Sequence, residues 1–217
     1  KFVTYDVNYF LIKQWIKMSQ HNFFREYKNR IVNNIYFDSL NFKSFSDNIE
    51  GQSKRVKTRY RWYGKFENES YGNMEFKIKR NVFGYKKTYN IKDLIINEKK
   101  NFRYINNKIF NELPQNIGIF FKQNDNPQII NQYEREYFKT KNQEFRVTID
   151  RNIKIFDQRK SNNPNISRKT ISQNYIVLEI KFDRKSRKDV GDLISNIPIR
   201  ISKNSKYINA FRSVYGI

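Results

Sequence analysis

Residues 54–63 read KRVKTRYRWY, and residues 73–80 read NMEFKIKR. In the first stretch Arg55, Lys57, Arg59, Arg61 and Tyr63 alternate with Val56, Thr58, Tyr60 and Trp62. In the second, Glu75, Lys77 and Lys79 alternate with Met74, Phe76 and Ile78. Successive side chains leave a strand on opposite faces, so each stretch reads as a strand with one ionic and one apolar face. The pattern returns at 144–150, where Glu144, Arg146, Thr148 and Asp150 alternate with Phe145, Val147 and Ile149. It returns again at 174–182, where Glu179 and Lys181 alternate with Leu178, Ile180 and Phe182.

On alternation alone, the plain reading is a half-buried antiparallel sheet with a wet, charged face. Three details pull against it. The ionic faces are mostly cationic on several strands, and like charges aligned across strands repel unless an anion lies among them. Arginine recurs at two-residue spacing, and its planar fork suits bidentate contact with phosphate. Each ionic face also holds an occasional carboxylate, which a metal-assisted phosphate site needs and a pure polyanion-binding surface avoids.

The composition sets the bounds. A chain of 217 residues, 38% hydrophobic and 17% aromatic, suffices for one domain with a true core, taken here as residues 1–217. Lys and Arg number 43 against 21 Asp and Glu, a net charge of +22 that calls for an anionic partner: nucleic acid, phosphates or an acidic membrane face. The absence of Cys excludes thiolate nucleophiles, Cys-based zinc sites and disulfides, and the single His21 excludes a multi-histidine metal site. Chemistry falls to Lys, Arg, Asp, Glu, Tyr and Ser. No run approaches the ~18 apolar residues of a membrane span, and no signal peptide is visible. The start at Lys1-Phe2-Val3 reads as an excised domain, and the lack of Cys fits a cytoplasmic setting, including the cytoplasmic face of an anionic membrane.

Around the alternating strands, residues 1–5 read as a short strand. Asp6 then caps a helix with Val7, Leu11, Trp15 and Met18 as its apolar stripe. Residues 31–38 read as a strand, and Phe42, Phe45 and Ile49 as the face of a short helix. Gly84 and the run to Tyr89 give a hairpin return. Residues 91–122 read as helical pieces broken at Pro114. Strand patterns resume at 129–138, 144–150, 153–156 and 174–182. The Asn/Ser/Pro-rich stretch 158–168 reads as a loop or disordered excursion. A polar helix is expected near 184–196, with Lys185, Arg187 and Lys188 on a solvated face, and a last one near 204–214. His21 reads as exposed near a helix end, and Trp15 and Trp62 as core. Glu75 is taken as a cross-strand partner of Lys or Arg, and Asp38 and Asp150 as capping or pairing residues.

One geometry satisfies the three details at once: an α+β fold in which a closed antiparallel β-barrel tunnel of about eight strands turns its ionic faces inward, with helices packed outside.

Read together, KFV at 1–3, NIYFDS at 34–39, RYRWYG at 59–64, EFKIK at 75–79, YKKT at 85–88, YERE at 133–136, FRVTID at 145–150, VLEIKF at 177–182 and SKY at 205–207 resemble the vacuolar-transporter-chaperone (VTC) catalytic domain. That family consists of polyphosphate polymerases of the triphosphate tunnel metalloenzyme, or CYTH-like, superfamily. The resemblance runs along nearly the whole chain. It implies an ATP-binding transferase that moves the γ-phosphoryl of ATP onto a growing polyphosphate chain in a basic tunnel, releasing ADP, with Mn²⁺ or Mg²⁺ as cofactor. It implies phosphate-binding roles for Lys1, Arg59, Arg61, Lys77, Lys86, Arg135, Arg146, Ser205 and Lys206, with Arg59, Arg61 and Lys206 as the catalytic ones. Lys87 is the alternative to Lys86 as the inward residue. Glu179 is the implied metal ligand. The implied partners are ATP and polyphosphate, with no specific nucleic acid.

The match has departures. Asn48 stands where some members carry a further arginine, and residues 158–168 have no assigned role. The residues before the first-strand lysine, where the hydrolytic branch carries its acidic signature, are not in the chain. Other functions stay open at this stage: a tunnel triphosphatase hydrolysing tripolyphosphate or a nucleoside triphosphate, a degenerate tunnel that binds polyphosphate without making it, and a non-catalytic nucleic-acid-binding module.

Overall fold

Alternation makes strands, and the strands found here form one antiparallel network. In the computed structural model, residues 1–66, 71–168, 170–187 and 189–216 are described, apart from the side chains of Arg184 and Arg187. The expectation for Arg187 and Lys188 therefore lies outside the described residues. The strands are β1 (Phe2–Tyr5), β2 (Phe24–Asp38), β3 (Lys54–Tyr63), β4 (Gly72–Arg80), β5 (Phe83–Ile91), β6 (Asn126–Lys139), β7 (Phe145–Asp157), β8 (Ile171–Gln173) and β9 (Tyr175–Phe182). The helices are α1 (Tyr9–Met18), α2 (Lys43–Ile49), α3 (Phe102–Glu112), α4 (Gln115–Lys122), α5 (Val190–Ser195) and α6 (Lys206–Tyr215).

The hydrogen-bonded order is β1-β9-β7-β6-β2-β3-β4-β5, with β8 on β7. This corrects the expectation of a closed barrel: among the described residues the fold is a large antiparallel sheet of nine strands with few helices, and it does not close. Closure would require β1 and β5 to pair. The outer edge of β1 is already occupied, because Phe2 bridges Ile201 and the Ser202 N–H donates to Lys1 O at 3.0 Å. The edge strand β5 carries Lys86 and Lys87, both exposed, and edge lysines disfavour further strand pairing.

The chain divides into two units, each with its own core. The first comprises residues 1–31, 133–153 and 172–204. Its core joins Ile12 and Ile16 of α1 to Phe2, Val147, Ile149, Ile176 and Leu178. The apolar stripe expected on α1 is thus corrected. Ile12 and Ile16, at i and i+4, are buried, whereas Val7, Leu11 and Met18 are exposed. The helix is apolar on two faces, so periodicity could not choose between them. Asp6 opens a 3-10 turn, Asp6–Asn8, and does not cap α1. His21 is half-buried, its ring edge-on to Phe145 at 4.9 Å.

The second unit comprises residues 32–132, 154–171 and 205–217. Tyr60 and Trp62 of β3 and Met74 and Phe76 of β4 pack on Phe102, Ile105 and Ile109 of α3 and on Phe121 of α4. Pro114 separates α3 from α4, as expected. Residues 91–101 are not helical, yet they bury Leu94 and Ile96. Residues 158–168 form a hydrogen-bonded loop: Gln158 holds the Asn165 N–H and carbonyl, and the Ser167 hydroxyl donates to Glu98 at 2.6 Å.

Candidate functional site

In the second unit the strand registers build an ionic face. Tyr36, Arg59, Glu75 and Thr88 form one row across β2–β5, and Asn34, Arg61, Asn73 and Asn90 form the next. Lys57, Lys77 and Lys86 form a third. Of these, Lys86 pairs with Glu75 and Lys57 reaches the Ser205 hydroxyl. The side chains stand on this face because Val56, Thr58, Tyr60 and Trp62 hold the other side of β3 against the helices.

Glu75 is the acid at the centre of this face. It is 5% exposed, and it ion-pairs with Arg59 at 2.5 Å and with Lys86 at 2.9 Å. Burial alone would raise its carboxyl. The charges of Arg59 and Arg61 and the hydrogen bonds from Lys86 and Arg59 outweigh burial and hold it at about 2. Glu75 is therefore the cross-strand partner that its alternation suggests. Arg61 is buried, and its Nε donates to Asn34 Oδ1 at 2.8 Å, while Asn34 Nδ2 donates to Asn131 Oδ1 at 2.8 Å. These bonds fix the guanidinium in place.

Helix α6 lies over the same face. Its N-cap Ser205 accepts from the Ile208 N–H at 3.4 Å and from Lys57 Nζ at 2.9 Å. Tyr207 stacks on Tyr36 with ring centroids 5.3 Å apart, and its hydroxyl donates to Asp38 Oδ2 at 2.6 Å. Asp38 is fully buried and also accepts from the N–H groups of Ser39, Ser44 and Phe45. Burial raises the Asp38 carboxyl against the lowering pull of those four bonds, and burial together with Asp38 pushes the Tyr207 phenol up. One carboxylate thus anchors the start of α2 and the first turn of α6, setting Ser205 and Lys206 beside the ionic face.

The expected site residues separate between the units. Arg59, Arg61, Lys77, Lys86, Ser205 and Lys206 belong to the second. Lys77 and Lys86 are exposed and Lys206 is half-buried. Lys87 has the opposite parity, facing Phe76 in the register, so Lys86 is the strand's residue on the ionic face. Lys1, Arg135, Arg146 and Glu179 belong to the first unit. There Lys1 Nζ lies 3.5 Å from Glu179 Oε2, and Glu179 faces Thr148. Arg146 faces Lys181, a second pairing of like charges. Arg135 closes its fork on the buried Asp150, with bonds of 2.5 and 2.8 Å. Asp150 thus pairs, as its residue type suggests. Asn48 bonds the Ser44 carbonyl within α2.

For a divalent cation, the donors present are carboxylates. Among the described residues no three His, Asp or Glu stand together as a metal cage. Glu179, half-buried, suits an ion that takes one carboxylate from the protein and fills its shell with phosphate oxygens and water, a pattern natural to Mg²⁺. Glu75 is committed to Arg59 and Lys86.

Lys57, Tyr36, Asn34 and Tyr207 join this face although no site role is expected of them. Lys57 has a visible signal, since it shares parity with Arg59 and Arg61 at the same two-residue step. The contacts of Asn34 and Tyr207 lie 97 and 169 residues away in the chain, and no local pattern encodes them.

Among described residues no helix is long and apolar enough to cross a membrane. No curated protein matches the chain at a significant level. Among solved structures, the chain is similar to a candidate adenylate cyclase from Vibrio parahaemolyticus, with 12% identity, 97% of this chain and 98% of the other covered, and a TM-score of 0.51. At that identity the likeness speaks for the fold. The VTC domain family matches residues 1–215. The motifs from KFV at the first strand to SKY at α6 thus have their explanation: the chain belongs to the VTC domain family.

Proposed function

We propose that the protein is a metal-dependent phosphotransferase that lengthens polyphosphate, moving the γ-phosphoryl of ATP to the end of the chain. The observation that carries this reading is the row of Lys57, Lys77 and Lys86 beside Arg59 and Arg61. Five cationic side chains in adjacent cross-strand rows suit an extended inorganic polyanion, whose successive phosphates can meet them in turn. Membership of the VTC domain family supports the same reading.

Phosphoryl transfer asks for positioning and neutralisation more than for covalent catalysis. A terminal oxygen of the acceptor chain attacks the γ-phosphorus, the bond from that phosphorus to the β-bridging oxygen breaks, and ADP leaves. The acceptor is already anionic at neutral pH, so no strong general base is required. Arg59 and Arg61, held by Glu75 and Asn34, present fixed forks to equatorial oxygens, and Lys77, Lys86 and Lys206 add charge along the chain. Within the first unit, Glu179 is the residue that would hold a divalent cation, and such an ion would supply Lewis-acid neutralisation of phosphate charge.

The test is incubation with ATP and Mn²⁺ or Mg²⁺, followed by gel analysis for long chains. Chains that lengthen with time support the polymerase. Orthophosphate without chains assigns the same cations to a triphosphatase. Polyphosphate binding without turnover makes the protein a binding module.

A further inference from the structure

The hairpin joining β4 to β5 ends in a feature the phosphate site does not use. Asn81, in the left-handed region with φ 52°, and Val82 make the turn between Arg80 and Phe83, which pair. Val82 is 85% exposed and Phe83 69% exposed, and neither belongs to the core of its unit. Just behind this tip, Lys54 faces Arg80 and Arg55 faces Lys79 across β3 and β4. Residues 51–63 and 76–91 contain no Asp or Glu.

A single exposed apolar residue needs no explanation, but two adjacent ones at a turn are flanked here by cations on both faces of the hairpin, Lys54 and Arg80 on the side of Val56 and Ile78, Arg55 and Lys79 on the side of Lys57 and Lys77. We propose that this tip docks the protein on an anionic lipid bilayer. Val82 and Phe83 enter the boundary between headgroups and acyl chains, and Lys54, Arg55, Lys79 and Arg80 lie at the headgroup anions. Apolar insertion and basic attraction together make a stable peripheral contact where either alone is marginal. A second copy of the chain would set the two cationic clusters against each other. A nucleic acid would engage the cations but has no use for Val82, which offers no ring for a base to stack on.

The experiment is co-sedimentation of the full chain with vesicles of phosphatidylcholine alone and of phosphatidylcholine mixed with phosphatidylserine, at physiological salt. Binding to the mixed vesicles only is expected, weakened roughly tenfold in the double variant Val82→Ser/Phe83→Ser. Both positions are exposed, so an unchanged thermal melt accompanies that loss. A Phe83→Trp variant should shift its emission to the blue on the anionic vesicles, a response that a merely electrostatic surface contact does not give. The proposal is overturned if the double serine variant sediments like the parent, or if the emission of the Phe83→Trp variant stays put. It is overturned equally if binding to a single-stranded RNA oligonucleotide falls as far in the double variant as vesicle binding does, which would give the tip to nucleic acid.

Discussion

At the residue scale, Glu75 sets the electrostatics of the ionic face. Its carboxyl is held at about 2 against an ordinary 4.5. A carboxylate depressed on folding stabilises fully above the unfolded value, and this contribution disappears as pH falls through the folded one. The protein should therefore lose on the order of 2–3 kcal/mol from this group between about pH 4.5 and pH 2. Urea titrations across that window should show a smaller pH-dependent loss in Glu75→Gln, and an equal loss would assign the acid limb to other groups. Tyr207→Phe removes a hydrogen bond to a buried carboxylate and should cost about 1–3 kcal/mol by denaturant unfolding. Arg61→Ala strips the Asn34 Oδ1 of its guanidinium donor as well as deleting a proposed phosphate fork. It should lower turnover by about a hundredfold or more and cost some stability too, so the melt has to be measured beside the rate. A variant with intact turnover would remove Arg61 from the proposed mechanism.

At the element scale, the strands are legible in the sequence and the helix faces less so. β3 and β4 announce themselves because alternation runs unbroken from Arg55 to Trp62 and from Asn73 to Lys79, and its apolar members Tyr60, Trp62, Met74 and Phe76 are all in the core, although Arg61 and Glu75 on the ionic face are buried too. The stripe of α1 is not legible because Ile12 and Ile16 compete with Val7, Leu11 and Met18, and only packing decides between two apolar faces. Residues 91–101 bury Leu94 and Ile96 without a helix, a tertiary result that periodicity imitates. The start of β4 makes its own prediction. A Cβ on Gly72 would lie 2.1 Å from the fully buried Tyr60 ring, which has no room to retreat. Gly72→Ala should destabilise by about 1–3 kcal/mol, read as a lowered midpoint with an unchanged denaturant slope.

At the scale of the whole molecule, the net charge of +22 governs how the protein responds to salt and to anions. Self-repulsion should be relieved by a bound polyanion, so tripolyphosphate should raise the melting temperature, and the effect should fade steeply with added salt. A stabilisation independent of ionic strength would contradict an electrostatic site. The sequence by itself determined this charge, the two-faced strands and the family, because composition, period two and motif order are properties of the chain read in line. Tertiary structure alone decided that the strand order runs open from β1 to β5, because alternation is the same in a closed sheet and an open one. The difference lies in edge hydrogen bonds, such as those the segment at Ile201 and Ser202 makes with β1. It also decided which donors hold which acids. Arg135 with Asp150, Arg59 with Glu75 and Tyr207 with Asp38 are contacts across strands and helices, set by register and packing at separations no local pattern reaches.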